Sequence, residues 1–159
     1  MKEKLNFARL PIVLFVVFFL ARLAMGAGMG VTKESYDLSN RLFSMVILQI
    51  HVGLFWGAVG RRYQGYGVGG SMAAVVLAVL ASQILIFLGT AVSYLAGANT
   101  FFNFPEALNQ PAAVGLGAAM TARTVTLIAN CVIGAIVGAI GWALGGLLPA
   151  AAVAENSKS

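Results

Sequence analysis

Long apolar runs alternating with short polar ones set the pattern of this chain. Four runs, 10–30, 42–60, 71–97 and 125–148, carry almost no charge. Each approaches or exceeds the roughly 20 residues with which a helix crosses about 30 Å of hydrocarbon. The pattern predicts an all-α polytopic membrane protein, four transmembrane helices in an antiparallel up-down bundle that form one transmembrane domain over residues 1–159. Pro11 falls in the first turn of the first run, where a helix tolerates it. Between the first two runs, the polar stretch 31–40 reads as a connection, with Asp37, Ser39 and Asn40 offering caps for the second helix. Between the third and fourth, Phe101, Phe102 and Phe104 suit a membrane interface, and Pro105-Glu106-Ala107-Leu108 is expected to start a short interfacial segment.

Small residues recur within the runs at the spacing of helix contacts. Gly26 and Gly30 stand four apart, as do Gly53 and Gly57, while Gly134, Gly138, Gly141 and Gly145 follow steps of four, three and four along one stripe. Lipid tails are as apolar as leucine, so helices in a membrane associate through close van der Waals contact, and such seams are expected to meet a helix of this chain, of a copy or of another protein.

Composition agrees with a membrane protein. The chain is 60% apolar and 9% charged, with a mean hydropathy of +0.90, more apolar surface than a soluble domain of this size can hide. The net charge of +5 and pI near 9.8 do not point to nucleic acid, because the cations sit at helix ends without a basic stripe. They report topology instead. Lys2, Lys4, Arg9, Arg61, Arg62 and Lys158 make six cations on one side, against Lys33, Arg41 and Arg123, three, on the other. Both termini are therefore expected in the cytoplasm, with a bacterial inner membrane as the location and Arg61 and Arg62 at lipid headgroups. The basic start also resembles a secretory signal, with small residues at 24–28 as a cleavage site. The run continues to residue 30 and contains Arg22, which favours an uncleaved first helix. The glycine-rich stretch after Arg62 lacks the strand, lysine and hydroxyl of a phosphate-binding loop.

Polar side chains inside hydrocarbon are the candidates for function. They are Arg22, Gln49, His51, Gln83 and Asn130. Arg22 lies roughly 12 Å below the nearer boundary by helical rise; it can snorkel, pair with Glu34 or Asp37, or hold an anion or a headgroup. His51, the one histidine, can bond between helices, pass a proton, or hold a haem iron or chlorin magnesium. Haem in a single chain would then need a methionine such as Met25 or Met45 as the second ligand. Gln49 stands about 200° from His51 around the helix, so the two face different neighbours. Gln83 and Asn130 are expected to hydrogen-bond between helices, and Thr121, Thr124 and Thr126 to bond back to their own.

No acidic residue lies in any run, and Cys131 is the one cysteine. A carboxylate proton relay, a zinc or di-iron centre, a disulfide and a Gly-x-Ser-x-Gly nucleophile are all unsupported, so no enzyme is expected. Three readings remain: a helix-packing subunit of a membrane complex or homo-oligomer, which accounts for the most features; a small channel or carrier lined by the five polar residues; and a haem or pigment holder. Position separates the first two. Polar residues scattered over separate contacts would remove the transport reading, and the same residues around one cavity would make packing an insufficient account.

Overall fold

The computed structural model describes residues 2 to 149, with side chains from residue 7 onward. Lys158 and the side chains of Lys2 and Lys4, part of the charge count above, lie outside the described residues. Five helices follow one another: α1 (Lys2–Met29), α2 (Lys33–Leu42), α3 (Met45–Gln64), α4 (Val68–Leu95) and α5 (Leu116–Gly145), with one 3-10 turn at Pro105–Leu108. There is no strand among the described residues. Four segments, Phe7–Met29, Lys33–Gln64, Val68–Leu95 and Leu116–Gly145, are long and apolar enough to cross a membrane.

Three local expectations are corrected. Residues 31–40 are mostly helix α2 rather than a connection. Gly30, at φ +75°, ends α1, and Thr32 then caps α2: its Oγ1 accepts from Ser35 N at 3.3 Å while Thr32 N donates to Ser35 Oγ at 3.0 Å, a reciprocal capping box. Asp37, Ser39 and Asn40 therefore lie inside α2, and the cap of α3 is Ser44, whose Oγ accepts from Ile47 N at 3.3 Å.

Pro11 sits well inside α1, not in its first turn, because the helix begins at Lys2. A mid-helix proline leaves the carbonyl four residues back without its donor. That carbonyl belongs to Phe7, and Trp56 Nε1 donates to it at 2.9 Å. The defect in α1 becomes a hydrogen bond to α3.

The last helix starts at Leu116, not near residue 125, and carries Arg123 within it. Polar residues made 121–124 look like a connection. Inside α5 their polarity is absorbed locally, with Thr121, Thr124 and Thr126 donating to Gly117 O, Met120 O and Ala122 O at 3.0, 2.9 and 2.9 Å.

Helix α5 packs on α3 and α4, and α4 also packs on α1 and α3. The α3–α5 contact is backbone on backbone. A Cβ added at Gly57 would land on Gly138 O, one at Gly141 on Leu54 O, and one at Gly145 would stand 2.5 Å from Ala58 O. An added Cβ at Gly53 would stand 2.7 Å from Val137, and ones at Gly134 and Gly138 would stand 3.0 and 3.2 Å from Val79 and Val75 of α4. Gly26 and Gly30 form no such seam. The nearest atom to a Cβ at Gly26 is the Phe101 ring at 3.6 Å, and Gly30 has nothing within 4 Å; its role is the left-handed turn that ends α1.

The long connection 96–115 is pinned at many points. Ser93 Oγ and Thr100 Oγ1 bond at 2.7 Å, Thr100 N donates to Asn103 Oδ1 at 2.9 Å, and Tyr94 OH donates to Val114 O at 2.7 Å. Phe101 and Phe102 are buried instead of lying at an interface. Phe102 stacks on Phe19 of α1 at 4.6 Å between centroids, and Phe101 meets Tyr36 of α2 at 5.9 Å. Ring packing ties the connection to α1 and α2.

Backbone atoms cannot rotate aside, so Gly141→Ala forces α3 and α5 apart. It is expected to lower stability by about 1–3 kcal/mol, the usual penalty of overpacking. Gly117→Ala, in the same helix with nothing within 4 Å of its Cβ, is expected to be neutral or to raise stability by up to about 1 kcal/mol. Thermal unfolding of the two variants in detergent measures the contrast.

Candidate functional site

At the end of the bundle that carries α2, the helices border an open chamber of about 730 Å³. Its walls come from the C-terminal parts of α1 and α4, the N-terminal parts of α3 and α5, α2, and the connection 96–115. Its volume falls in the range of small-molecule sites. Of the five polar residues singled out by the sequence, Arg22, Gln83 and Asn130 line it.

Arg22 is 6% exposed. Its Nη1 donates to Asn40 Oδ1 at 2.6 Å and to Phe43 O at 3.5 Å, and its guanidinium lies 5.6 Å from the Tyr36 ring centroid and 5.9 Å from that of Phe101. Neither Glu34 nor Asp37 is its partner. Asp37 is taken by Lys33, one turn before it on the exposed face of α2, at 3.1 Å, the one ion pair among the described residues. The short carboxylate of Asp37 reaches the next turn of its own helix more easily than the interior.

A second arginine faces the same chamber. Arg123, 7% exposed, donates from Nε to Thr90 Oγ1 at 2.9 Å, from Nη1 to Ala107 O at 2.8 Å and from Nη2 to Phe102 O at 2.7 Å. Thr90 in turn donates from Oγ1 to Ile86 O at 2.9 Å and to Phe102 O at 3.0 Å as alternatives. One guanidinium thus joins α5 to α4 and to both halves of the connection. Sequence reading placed Arg123 outside the membrane because the fourth run was started at residue 125. A start at Leu116, justified by the apolar and small residues 116–120, would have put it in the helix and among the candidates.

The amides divide. Gln49 Nε2 donates to Ser82 Oγ at 3.0 Å, a buried bond between α3 and α4. Gln83, expected to bond between helices, has no partner for Nε2 although it is only 3% exposed. Asn130 makes no side-chain hydrogen bond among the described residues and lies between the chamber and a gap of about 10 Å³ that Gln49 also lines. Beyond that gap come Gly134, Val137 and the close α3–α5 contact.

His51 is elsewhere. It is exposed, its Nδ1 lies 2.8 Å from Ile47 O in its own helix, and it borders a shallow groove with Phe18, Leu42 and Leu48. The expected bond between helices is therefore absent: the step of about 200° that buries Gln49 turns His51 outward. Met45, offered above as a second haem ligand, lines the chamber rather than this groove. Arg61 and Arg62 have partners at the opposite end of the bundle. Arg61 Nη1 donates to Trp142 O and Ala143 O, both at 3.2 Å, with its guanidinium 4.2 Å from the Trp142 ring, and Arg62 Nε donates to Pro149 O at 2.8 Å. They meet the carbonyl end of α5, where cations are favoured.

Arg123→Ala is expected to lower stability by about 3 kcal/mol or more, because it strips donors from buried carbonyls. It should also expose Phe101, Phe102 and Phe104 to chymotrypsin. Arg123→Lys, with one ammonium in place of a three-way fork, is expected to restore less than half of the loss. Limited proteolysis and thermal unfolding of the two variants check this.

No known protein family, curated protein or solved structure matches the chain.

Proposed function

We propose that this is a non-catalytic integral membrane protein that binds a polar solute in the chamber, a small carrier rather than an open channel. The observation that carries the reading is convergence: Arg22, Gln83, Arg123 and Asn130, from three different spans, line one space of about 730 Å³. Ionisable and polar groups are costly at membrane depth, and a set of them around one space is the arrangement a solute pathway needs. The gap of about 10 Å³ beyond Asn130 and the backbone contact beyond it argue for a site loaded from one end, with the helices shifting to release its content. In this reading the spans run up and down antiparallel, both termini lie in the cytoplasm, and the chamber opens to the opposite side. The cation count supports that orientation.

A second reading, the helix-packing subunit, rests on a different observation. Val125, Ile128, Val132, Ile136, Ile140 and Leu144 form an exposed stripe along α5 that suits lipid or a neighbouring chain. The glycines of α3 and α5 argue less for it, because their close contacts are made within this chain. A haem at His51 finds no second ligand in its groove among the described residues.

Cysteine labelling tests the chamber. In a Cys131→Ala background, Thr126→Cys, on the chamber wall, is expected to react in intact membranes with a polar, membrane-impermeant thiol reagent added from the side opposite the termini. Val79→Cys, fully buried against Gly134, is expected to stay unmodified. Equal protection of both would sink the solute-chamber reading. The mass of the complex extracted in mild detergent tests the second reading: a particle holding only this chain is expected, and fixed co-isolation with other membrane proteins would favour the subunit.

A further inference from the structure

The wall of the chamber carries Arg22 and Arg123, and its acidic residues are Asp37 and Glu106. Arg22 and Arg123 are both more than nine-tenths buried, and a guanidinium stays charged at any physiological pH. Their described hydrogen-bond acceptors are an amide oxygen, a hydroxyl and backbone carbonyls. Neutral acceptors satisfy N–H groups but do not offset charge, and an uncompensated charge at membrane depth is costly. The other charged groups on the wall are Arg41, Asp37 and Glu106. Arg41 and Glu106 are exposed, and Asp37 is paired with Lys33, so the interior keeps the positive charge of its two arginines.

Gln83 stands on the same wall. It is 3% exposed, and its Nε2 bonds to nothing and is closed off from the cavity as the side chain lies. A buried amide donor without a partner is costly, and a turn of this side chain toward the cavity would let an acceptor there satisfy it. Both arginines and the turned amide call for the same chemistry.

We infer that the chamber binds an oxyanion of the phosphate type, with Arg22 as its direct donor, the Gln83 amide turning to meet it, and Arg123 as a second positive charge. The inference rests on the solute-chamber reading and names its ligand class. A tetrahedral oxyanion matches the planar fork of arginine and accepts several donors at once. Such a group reaches the chamber either free in solution or as the headgroup of an anionic lipid.

The test uses the full chain in phosphatidylcholine nanodiscs, titrated with inorganic phosphate against chloride at constant ionic strength and followed by thermal unfolding. A second arm uses phosphatidylglycerol nanodiscs and native mass spectrometry. A saturable rise in Tm with phosphate identifies the free anion; retained phosphatidylglycerol without a phosphate response identifies the headgroup. In whichever arm responds, Arg22→Gln and Gln83→Leu are expected to weaken binding about tenfold or more, and Arg61→Gln, at the opposite end, to leave it unchanged. Gln83→Leu also removes an unpaired donor, so without phosphate it is expected to match or exceed the parent in Tm; loss of binding with stability kept separates a ligand role from a packing role. No response in either arm, or a response that survives both substitutions, overturns the inference. If Thr126→Cys still labels in that event, the solute chamber stands and only the oxyanion falls. If Thr126→Cys is also protected, both fall together.

Discussion

A buried carbonyl oxygen left without a helical donor is costly, and the arrangement of this bundle follows from how those oxygens find donors. Phe7 O, released by Pro11, takes the indole N–H of Trp56. Tyr66 O, just past the end of α3, takes that of Trp142 at 2.8 Å. Phe102 O and Ala107 O take Arg123, Val114 O takes Tyr94, and Trp142 O and Ala143 O take Arg61. Every one of these donors lies on a different element from its acceptor, or across a connection from it. Satisfying the backbone therefore also fixes which helices are neighbours, and the side chains that do so are rigid rings and planar guanidiniums that lose little freedom in the act.

The two ends of the bundle solve the problem of close packing differently. Around Gly57, Gly141 and Gly145, α3 and α5 touch backbone to backbone, which leaves no room for a solute and maximises dispersion contact where lipid offers no hydrophobic drive to association. Toward the α2 end, larger and polar residues, Gln49, Asn130 and Arg123, stand on the same two helices, and the helices border an open chamber there. Small residues at one end and large polar ones at the other give a closed base and an open mouth from a single pair of helices.

Arg123 connects the fold to the proposed function. Three of its N–H groups hold the connection 96–115 down on α4, and its charge faces the space that this connection helps to roof. Lysine has too few directed donors for the first task, and a neutral donor would leave out the second. A ligand of the proposed kind would act on the same residue that holds the connection, and binding would then be linked to the position of the connection through one side chain.

Four spans and the spacing of Gly134, Gly138, Gly141 and Gly145 follow from hydropathy and periodicity alone, because hydrocarbon thickness and helical geometry act locally along the chain; the basic connection read over 61–70 shrinks to residues 65–67, since α3 runs to Gln64 and α4 starts at Val68. The sequence also determined that Gln49 and His51 face opposite ways, since a helix turns by a fixed angle per residue. It did not reveal that Arg123 belongs to a helix, that residues 33–42 form one, or that Phe101 and Phe102 turn inward. Two of these depend on partners distant in sequence, Phe102 O and Thr90 for Arg123 and Phe19 for Phe102, whereas α2 rests on the local Thr32–Ser35 capping box within a stretch polar enough to pass for a connection. Hydropathy scores a residue by its own transfer energy, whereas its actual depth depends on which acceptors and rings the tertiary structure brings to it, and only the fold supplies those.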